Sequence, residues 1–258
     1  MPPDRGDRTS IAIVVPCFNE AKRFQSQAFS EYLAKNADTS FYFVDDGSSD
    51  DTAKIHHSLK LAFPDQVYAT TIEHGGKSAA VRHGVLLAFK GNAGYIGYWD
   101  ADLSTPLYSI ESFRKLLARD PSLLFIFGSR VSLLGRNIER SMWRHYPGRV
   151  YATVVSIMLN LGIYDTQCGA KLFQANSRVR GLFDKPFVSR WSFDVEIIAR
   201  MKLQGQADPS IAILEYPLEE WHDVSGSKIS LLDMPGILIE LVRIYWTYLR
   251  PGTDAGKR

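Results

Sequence analysis

Two cysteines are all that 258 residues carry, and Cys17 and Cys168 stand far apart with no CxxC pair. That excludes a disulfide framework and a structural zinc site, and it suits a reducing compartment. The six histidines, His56, His57, His74, His83, His145 and His222, fall in no HExxH or comparable spacing, so no zinc centre is expected. There is no GxSxG and no nucleophile with a paired base beside it. No stretch reaches the roughly 18–20 apolar residues that cross a bilayer. No apolar segment follows the charges of the opening MPPDRGDRTS, so no signal peptide is expected. The expectation is a cytoplasmic chain whose membrane contact, if any, is peripheral. Net charge is only +2, which gives no global field for nucleic acid and predicts no such partner. Repeats and low-complexity tracts are also missing.

What is present is an alternation. Short β-rich apolar runs at 11–15, 41–44, 67–72, 95–99 and 123–127 are separated by helix-like segments at 20–35, 50–63, 77–90 and 107–118. Repeated strand–helix–strand at this spacing predicts an α/β fold, a mostly parallel twisted sheet with helices on both faces. Such sheets bind ligands outside the carboxyl ends of their strands. The polar clusters CFNE, DDGSSD and DAD stand at those ends, after the first, second and fourth runs. Beyond Gly128 the rhythm changes: 129–146 is arginine-rich, Pro147–Gly148 is expected to break it, and 149–162 is an apolar helix candidate. A polar turn and short strand over 165–173, a helix over 193–204, a strand over 211–216 and an amphipathic helix over 234–249 complete the reading.

Asp100 and Asp102, in YWDADLS, put two carboxylates one residue apart just past a buried strand. They can share one hard cation, Mg2+ or Mn2+, which keeps waters and takes its remaining ligands from a diphosphate. The competing reading is a solvated acidic turn. In Val44–Asp50 a carboxylate can accept from a base or from ribose hydroxyls, while Ser49 or Asp50 caps the next helix. His74-Gly75-Gly76-Lys77-Ser78 is not a P-loop, because Thr71 stands where the first glycine is required. A glycine turn with a lysine at a helix start either favours a phosphate or is a plain surface turn.

Arg130, Arg136, Arg140, Arg144 and Arg149 fall within twenty residues, with only Glu139 against them. If helical, Arg136, Arg140 and Arg144 share one face. That face is either an anion site, for an acceptor phosphate or lipid headgroups, or a solvated basic surface. The last helix, 236–249, spans about 21 Å, short of a hydrocarbon core of roughly 30 Å. Core, second subunit and membrane interface remain open as its partner, and a homo-oligomer is one outcome.

Together, VVPCFNE (14–20), VDDGSSDDT (44–52), GGKSAAVRHG (75–84) and YWDADLSTP (98–106) resemble the inverting family 2 glycosyltransferases of the GT-A fold. Gly128-Ser129-Arg130, DTQCGAKLF (165–173), WSFDVE (191–196) and Gly226-Ser227-Lys228 are similar to dolichyl-phosphate β-glucosyltransferases and, less closely, to dolichyl-phosphate mannose synthases. The resemblance covers about 11–232 and implies a GT-A domain over 9–232, followed by a C-terminal amphipathic helix and tail over 233–258. It implies that Pro16, Asn19, Glu20, Asp45, Asp46, Lys77 and Asp100 line the nucleotide pocket. It implies Asp102, with Asp100, as ligands of Mg2+ or Mn2+. Arg130, with Arg140 or Arg144, would hold an acceptor phosphate, and Asp165, Gln167 and Asp194 would shape the sugar end. The catalytic set so implied is Asp100, Asp102, Arg130, Asp165 and Asp194. Mannose synthases tend to carry Gln where Ser104 stands, which leaves a third side-chain metal ligand open. The implied partners are a nucleotide-diphosphate sugar, most naturally UDP-glucose, and a polyprenyl phosphate at the inner face of a membrane. The alternatives are a family 2 enzyme with a hydroxyl acceptor, or a non-catalytic nucleotide-sugar-binding module. A sugar hydroxyl needs a positioned base, and Asp165, Asp194 and Glu196 all compete for that role. A phosphate monoester, with its second pKa near 6, needs mainly cations to position it.

Overall fold

A computed structural model describes residues 9–139, 142–205, 207–224 and 234–252, with backbone alone at 142–147 and 234. Arg140, Ser227, Lys228 and the tail beyond Gly252 therefore lie outside the described residues, as does the Arg144 side chain.

Strand β1 (Ile11–Cys17), helix α1 (Ser26–Lys35), β2 (Thr39–Asp45), α2 (Thr52–Ala62), β3 (Val67–Thr71), α3 (Lys77–Ala88), β4 (Tyr95–Trp99), α4 (Ser109–Arg119) and β5 (Phe125–Ser129) realise the expected alternation. β1 reads IAIVVPC and is almost wholly buried, as a strand covered on both faces must be. Its side chains divide by parity. Ile11, Ile13 and Val15 join Phe29 and Leu33 of α1, Leu59 of α2 and Ile110, Phe113 and Leu117 of α4 in one core. Ala12 and Val14 join Val81 and Val85 of α3 in the other. The first turn of the expected 20–35 helix does not form as a helix, because Glu20 is tied sideways: its backbone N–H donates to the Thr52 hydroxyl.

The second half adds β6 (Asn137–Glu139), α5 (Met142–Leu159), β7 (Ala170–Gln174), α6 (Ser177–Gly181), α7 (Phe193–Gln204), α8 (Pro209–Ala212), β8 (Ile213–Pro217), β9 (Glu220–His222) and α9 (Met234–Ile244), which ends in a π-helical turn, Tyr245–Leu249. The seven-stranded sheet has the order β3-β2-β1-β4-β7-β5-β8. β7 runs antiparallel to both neighbours, and every other pairing in that sheet is parallel. β6 and β9 form a separate parallel pair.

Three expectations are corrected. The arginine-rich stretch is not one helix: residues 130–136 form a loop and 137–139 a strand, so Arg136 shares no helical face with the arginines of 140–144. Arg136 instead meets Glu219, 3.3 Å away, a partner distant in sequence. Pro147–Gly148 does not break the chain's path, and α5 runs through both. A proline inside a helix costs about 3 kcal/mol. Burying Tyr151, Val155 and Leu159 of α5 contributes roughly 1.5–3 kcal/mol for each such side chain, which outweighs it. Finally, Ile211 belongs to α8 rather than to a strand, because the Asp208 carboxylate caps the Ser210 N–H and starts a helical turn.

The partner of the last helix is the core. Ile237, Leu241 and Ile244 are buried with α7 and α5, while Leu238, Ile239, Val242 and Trp246 remain exposed. Among the described residues, no helix is long and apolar enough to cross a membrane.

Candidate functional site

The loops after β1, β2 and β3 are sewn together by the side chains of the sequence motifs. The parallel register sets Cys17 beside Asp45, and Asp46 N–H donates to the Cys17 carbonyl at 2.8 Å. Asn19, exposed and in the left-handed region at φ 51°, accepts the Ser49 N–H on its side chain at 2.9 Å. The Asn19 N–H donates to the Ser48 hydroxyl at 2.8 Å. Asp45 is buried and accepts from the backbone and hydroxyl of Ser48. Asp50 accepts from Ala21 N–H and from Thr52. Glu20 pairs with Arg23, and Pro16 is half-buried at the end of β1.

Asp46 takes the next step across. Its two carboxylate oxygens accept the N–H groups of Gly75 and Gly76 at 2.8 and 2.9 Å, and His74 Nδ1 lies 2.9 Å from the same carboxylate. Gly76 sits at φ +87°, a left-handed conformation that glycine alone adopts without penalty. The turn so held launches α3 and delivers Lys77, whose Nζ stands 2.5 Å from Asp100 Oδ1. Burial works against the Lys77 ammonium, but the charges of Asp100 and then Asp194 more than offset it and hold its pKa above the ordinary lysine value.

Asp100 and Asp102 leave the end of β4 on a turn closed by Trp99 Nε1–H to the Thr105 carbonyl, 2.8 Å. Leu103 takes φ 54° there, at a cost of roughly 1–2 kcal/mol for a residue with a Cβ. Asp102 accepts the Ser104 N–H at 3.0 Å. Withdrawal from water, and then the like charge of Asp100, push the Asp102 carboxyl above its usual range. Asp100 is backed by the antiparallel strand: its N–H donates to the Gly169 carbonyl at 2.9 Å, and a Cβ on Gly169 would overlap the Asp100 carboxylate.

The two carboxylates can take a divalent cation. They carry like charges one residue apart, and the Lys77 ammonium is the one cation that meets Asp100 directly among the described residues. Those residues hold no cluster of three or more His, Cys, Asp or Glu that could bind a metal. A pair of this kind suits Mg2+ or Mn2+, which retain water and borrow ligands from a phosphate, and does not suit a closed zinc centre.

The second half of the site is arranged differently. Arg130 Nε and Nη2 donate to both oxygens of Asp165 at 2.6 and 2.8 Å, and the guanidinium lies 5.3 Å from the Trp221 ring centre. Burial opposes the Arg130 charge, but Asp165 more than offsets it and raises its pKa. Gln167 reaches the Tyr151 hydroxyl at 3.2 Å. Asp194 is buried, 2.9 Å from the Lys171 ammonium, and accepts from the Tyr98 hydroxyl. Glu196 is wholly buried and accepts from Val188 and Ser189 N–H, the Ser189 hydroxyl, Arg200 and Tyr248. It has no path to a ligand.

The structure thus brings Asn19, Glu20, Asp45, Asp46, Lys77, Asp100 and Asp102 to one edge of the sheet. Asp194 and the Arg130–Asp165 pair lie near enough for their charges to act on Lys77 and with Asp100. Gly169, Lys171 and Arg23 were not singled out by sequence reasoning. Gly169 and Lys171 lie within the quoted DTQCGAKLF run, but their contacts depend on the antiparallel placement of β7. Arg23 feels Glu20 first and then the charges of Asp102 and Asp100, and no spacing in the sequence announces that.

A family model for glycosyl transferase family 2 matches residues 12–178. A dolichyl-phosphate beta-glucosyltransferase of Trichomonas vaginalis is 30% identical over 251 residues, covering 93% of this chain and 71% of the relative. A dolichyl-phosphate beta-glucosyltransferase of Homo sapiens is 30% identical over 260 residues, covering 95% and 73%. Among solved structures, glucosyl-3-phosphoglycerate synthase of Mycobacterium tuberculosis, in complex with Mn2+, UDP-glucose and phosphoglyceric acid, matches with a TM-score of 0.63. That match has 12% identity and covers 93% of this chain and 79% of that one.

Proposed function

From the premise that the chain belongs to glycosyl transferase family 2, we propose that it transfers glucose from UDP-glucose, with inversion, onto a polyprenyl phosphate. The names of the relatives support the reaction. So does the Mn2+ and UDP-glucose held by a protein of the same fold. The observation that carries the donor half is the convergence of Lys77, Asp100 and Asp102 at the end of β4.

Asp100 and Asp102 would hold Mg2+ or Mn2+, which supplies positive charge against the departing diphosphate. The chain's own residues do the rest. Asp46 fixes the Gly75–Gly76 turn, so that Lys77 is presented to the diphosphate without reorganising when substrate binds. Asp45, Asn19 and Ser48 hold the neighbouring loops in a shape that accepts the nucleoside. Gly169 lets β7 press against Asp100 and fixes where that carboxylate stands.

The state of the carboxylates supports the acceptor half. Of the three candidate bases, Asp165 is gripped by Arg130, Asp194 is paired with Lys171, and Glu196 is buried among donors. A hydroxyl acceptor needs a free base to take its proton. A phosphate monoester is already an anion at neutral pH and needs cations. Arg130 uses two of its five N–H donors on Asp165, which leaves three in a fixed orientation for an acceptor phosphate. In this reading Asp165 positions Arg130, and Arg140 or Arg144 would be the second cation on the phosphate. The exposed Val150, Val154 and Ile157 of α5 and Leu238, Ile239, Val242 and Trp246 of α9 provide apolar faces for peripheral contact with the membrane that carries such an acceptor.

The test is donor consumption with Mg2+ or Mn2+, scanning UDP-, GDP- and dTDP-sugars with and without a short polyprenyl phosphate. Nucleotide release confined to UDP-glucose plus the lipid is the expected result. Release with another acceptor would keep the transferase and discard the lipid. Tight UDP binding with no release on any acceptor would indicate a non-catalytic module.

A further inference from the structure

Arg190 stands beside the Gly75–Gly76 turn, and its surroundings give it a role. It lies two residues before Ser192, which occupies the N-cap position of α7, and its backbone is fixed from an unexpected side. The Glu240 carboxylate, on α9, accepts the N–H of Arg190 at 2.8 Å, of Trp191 at 3.1 Å and of Ser192 at 2.9 Å. One carboxylate from the last helix thus holds three consecutive amides. The Arg190 side chain then crosses to the glycine turn: a Cβ built on Gly76 would stand 3.3 Å from Nε and 3.4 Å from Nη2. The guanidinium fills the space that the missing side chain leaves, one residue from Lys77.

The contrast with the other cations of this region is chemical. Lys77 faces Asp100, Arg23 faces Glu20, Arg130 faces Asp165 and Lys171 faces Asp194. The exposed Arg190 guanidinium makes no hydrogen bond or ion pair with any described residue. It is a planar set of five donors, steered over the turn that presents Lys77 and left without an acceptor among the described residues. A phosphate offers oxygens in the geometry that such a fork matches.

We propose that Arg190 is a phosphate-binding residue of this site, reaching over Gly76 to grip a phosphate group beside Lys77, and that Glu240 is the positioning residue that sets it there. The proposal rests on the nucleotide-sugar reading above and adds to it a residue from the second half of the chain. The phosphate belongs either to the diphosphate of the donor or to the monophosphate of the acceptor, and the two are separable by measurement.

The experiment uses the full chain and UDP as the probe. UDP affinity is measured by calorimetry with Mn2+ and again in EDTA, beside the KM values for UDP-glucose and a short polyprenyl phosphate. Arg190→Ala is expected to weaken one phosphate ligand by between about ten- and a hundredfold, the range of a charge-assisted hydrogen bond. Arg190→Lys is expected to recover only part of that, since it restores the charge and not the fork. Weaker UDP binding in both conditions, with the lipid KM unchanged, assigns Arg190 to the donor diphosphate. A raised lipid KM with unchanged UDP affinity assigns it to the acceptor. Glu240→Gln should shift the same constant in wild type and add nothing in the Arg190→Ala background, whereas a merely structural Glu240 would act equally in both. Wild-type protein that binds UDP as tightly as Arg190→Ala, with both KM values equal, overturns this proposal alone. Wild-type protein that neither binds UDP nor consumes UDP-glucose overturns the functional reading and this proposal with it.

Discussion

Asp102 and Glu196 are both carboxylates near the same sheet, one at the strand ends of the first half and one in the helical layer of the second, and the fold treats them oppositely. Glu196 has no exposure and receives two amides, a serine hydroxyl, a guanidinium and a tyrosine hydroxyl. Asp102 is half-buried, accepts one backbone N–H, and carries a second carboxylate beside it that raises its pKa after burial itself. The cations divide the same way. Arg200 is buried against Glu196 and the carbonyls of Leu182, Lys185 and Pro186, while Arg190 lies open over a glycine. A buried charge given a full set of internal partners belongs to the scaffold. A charge left short of partners at a strand end is where an outside ligand contributes most.

Asp102→Ala carries the largest expected effect. On this account it lowers kcat/KM for UDP-glucose by about a thousandfold, the scale of losing a group that acts on transition-state charge, with little change in Tm. Turnover within a fewfold of wild type would move the site elsewhere. Lys171→Met probes the scaffold side. It leaves the buried Asp194 carboxylate with the Tyr98 hydroxyl but without its cation, costing about 3–5 kcal/mol, read as a fall in Tm of roughly ten degrees. An unchanged Tm would mean that the Tyr98 hydroxyl alone is enough to hold that charge.

His56 gives the next effect. It is buried between Phe24 and Phe43, neither ring nitrogen has a hydrogen-bond partner among the described residues, and burial depresses its pKa from 6.5 to about 4. Its unfolded form therefore takes a proton first. Stability contributed at this position is flat above pH 6.5, falls as pH drops toward 4 by about 3 kcal/mol, and changes no further below that. His56→Phe should remove this part of the slope in urea midpoints between pH 6.5 and 4, and an identical slope would refute the assignment. The smallest effect belongs to Arg136→Ala: its pair with Glu219 is half-exposed at 3.3 Å, so a loss below about 1 kcal/mol is expected. A larger loss would show that this arginine does more than meet its partner.

The parallel strands of the first half were legible because a strand covered on both faces reads as a nearly unbroken apolar run, as IAIVVPC and YIGYW do. Their polar ends were legible for the same reason, since the strand fixes where Asp45, Asp46, Asp100 and Asp102 emerge. What was not legible depended on placement across the chain. AKLFQ carries no mark of direction, so neither the antiparallel insertion of β7 nor the closeness of Gly169 to Asp100 could be read from it. The arginine run looked unopposed because Glu219 lies eighty-three residues beyond Arg136 and meets it only through the fold. Pro147–Gly148 looked like a break because its local cost is visible in sequence, while the tertiary burial of Tyr151, Val155 and Leu159 that outweighs it is not.

Asp165, Asp194 and Glu196 are each committed to a cation or to a set of donors, which favours an acceptor that brings its own charge. The most direct test offers wild-type protein UDP-glucose and Mn2+ with a short polyprenyl phosphate or with the matching polyprenol, and compares UDP release. Release with the phosphate and none above background with the alcohol is the expected result. Equal release with the alcohol would contradict it, and would require a base other than Asp165, Asp194 and Glu196.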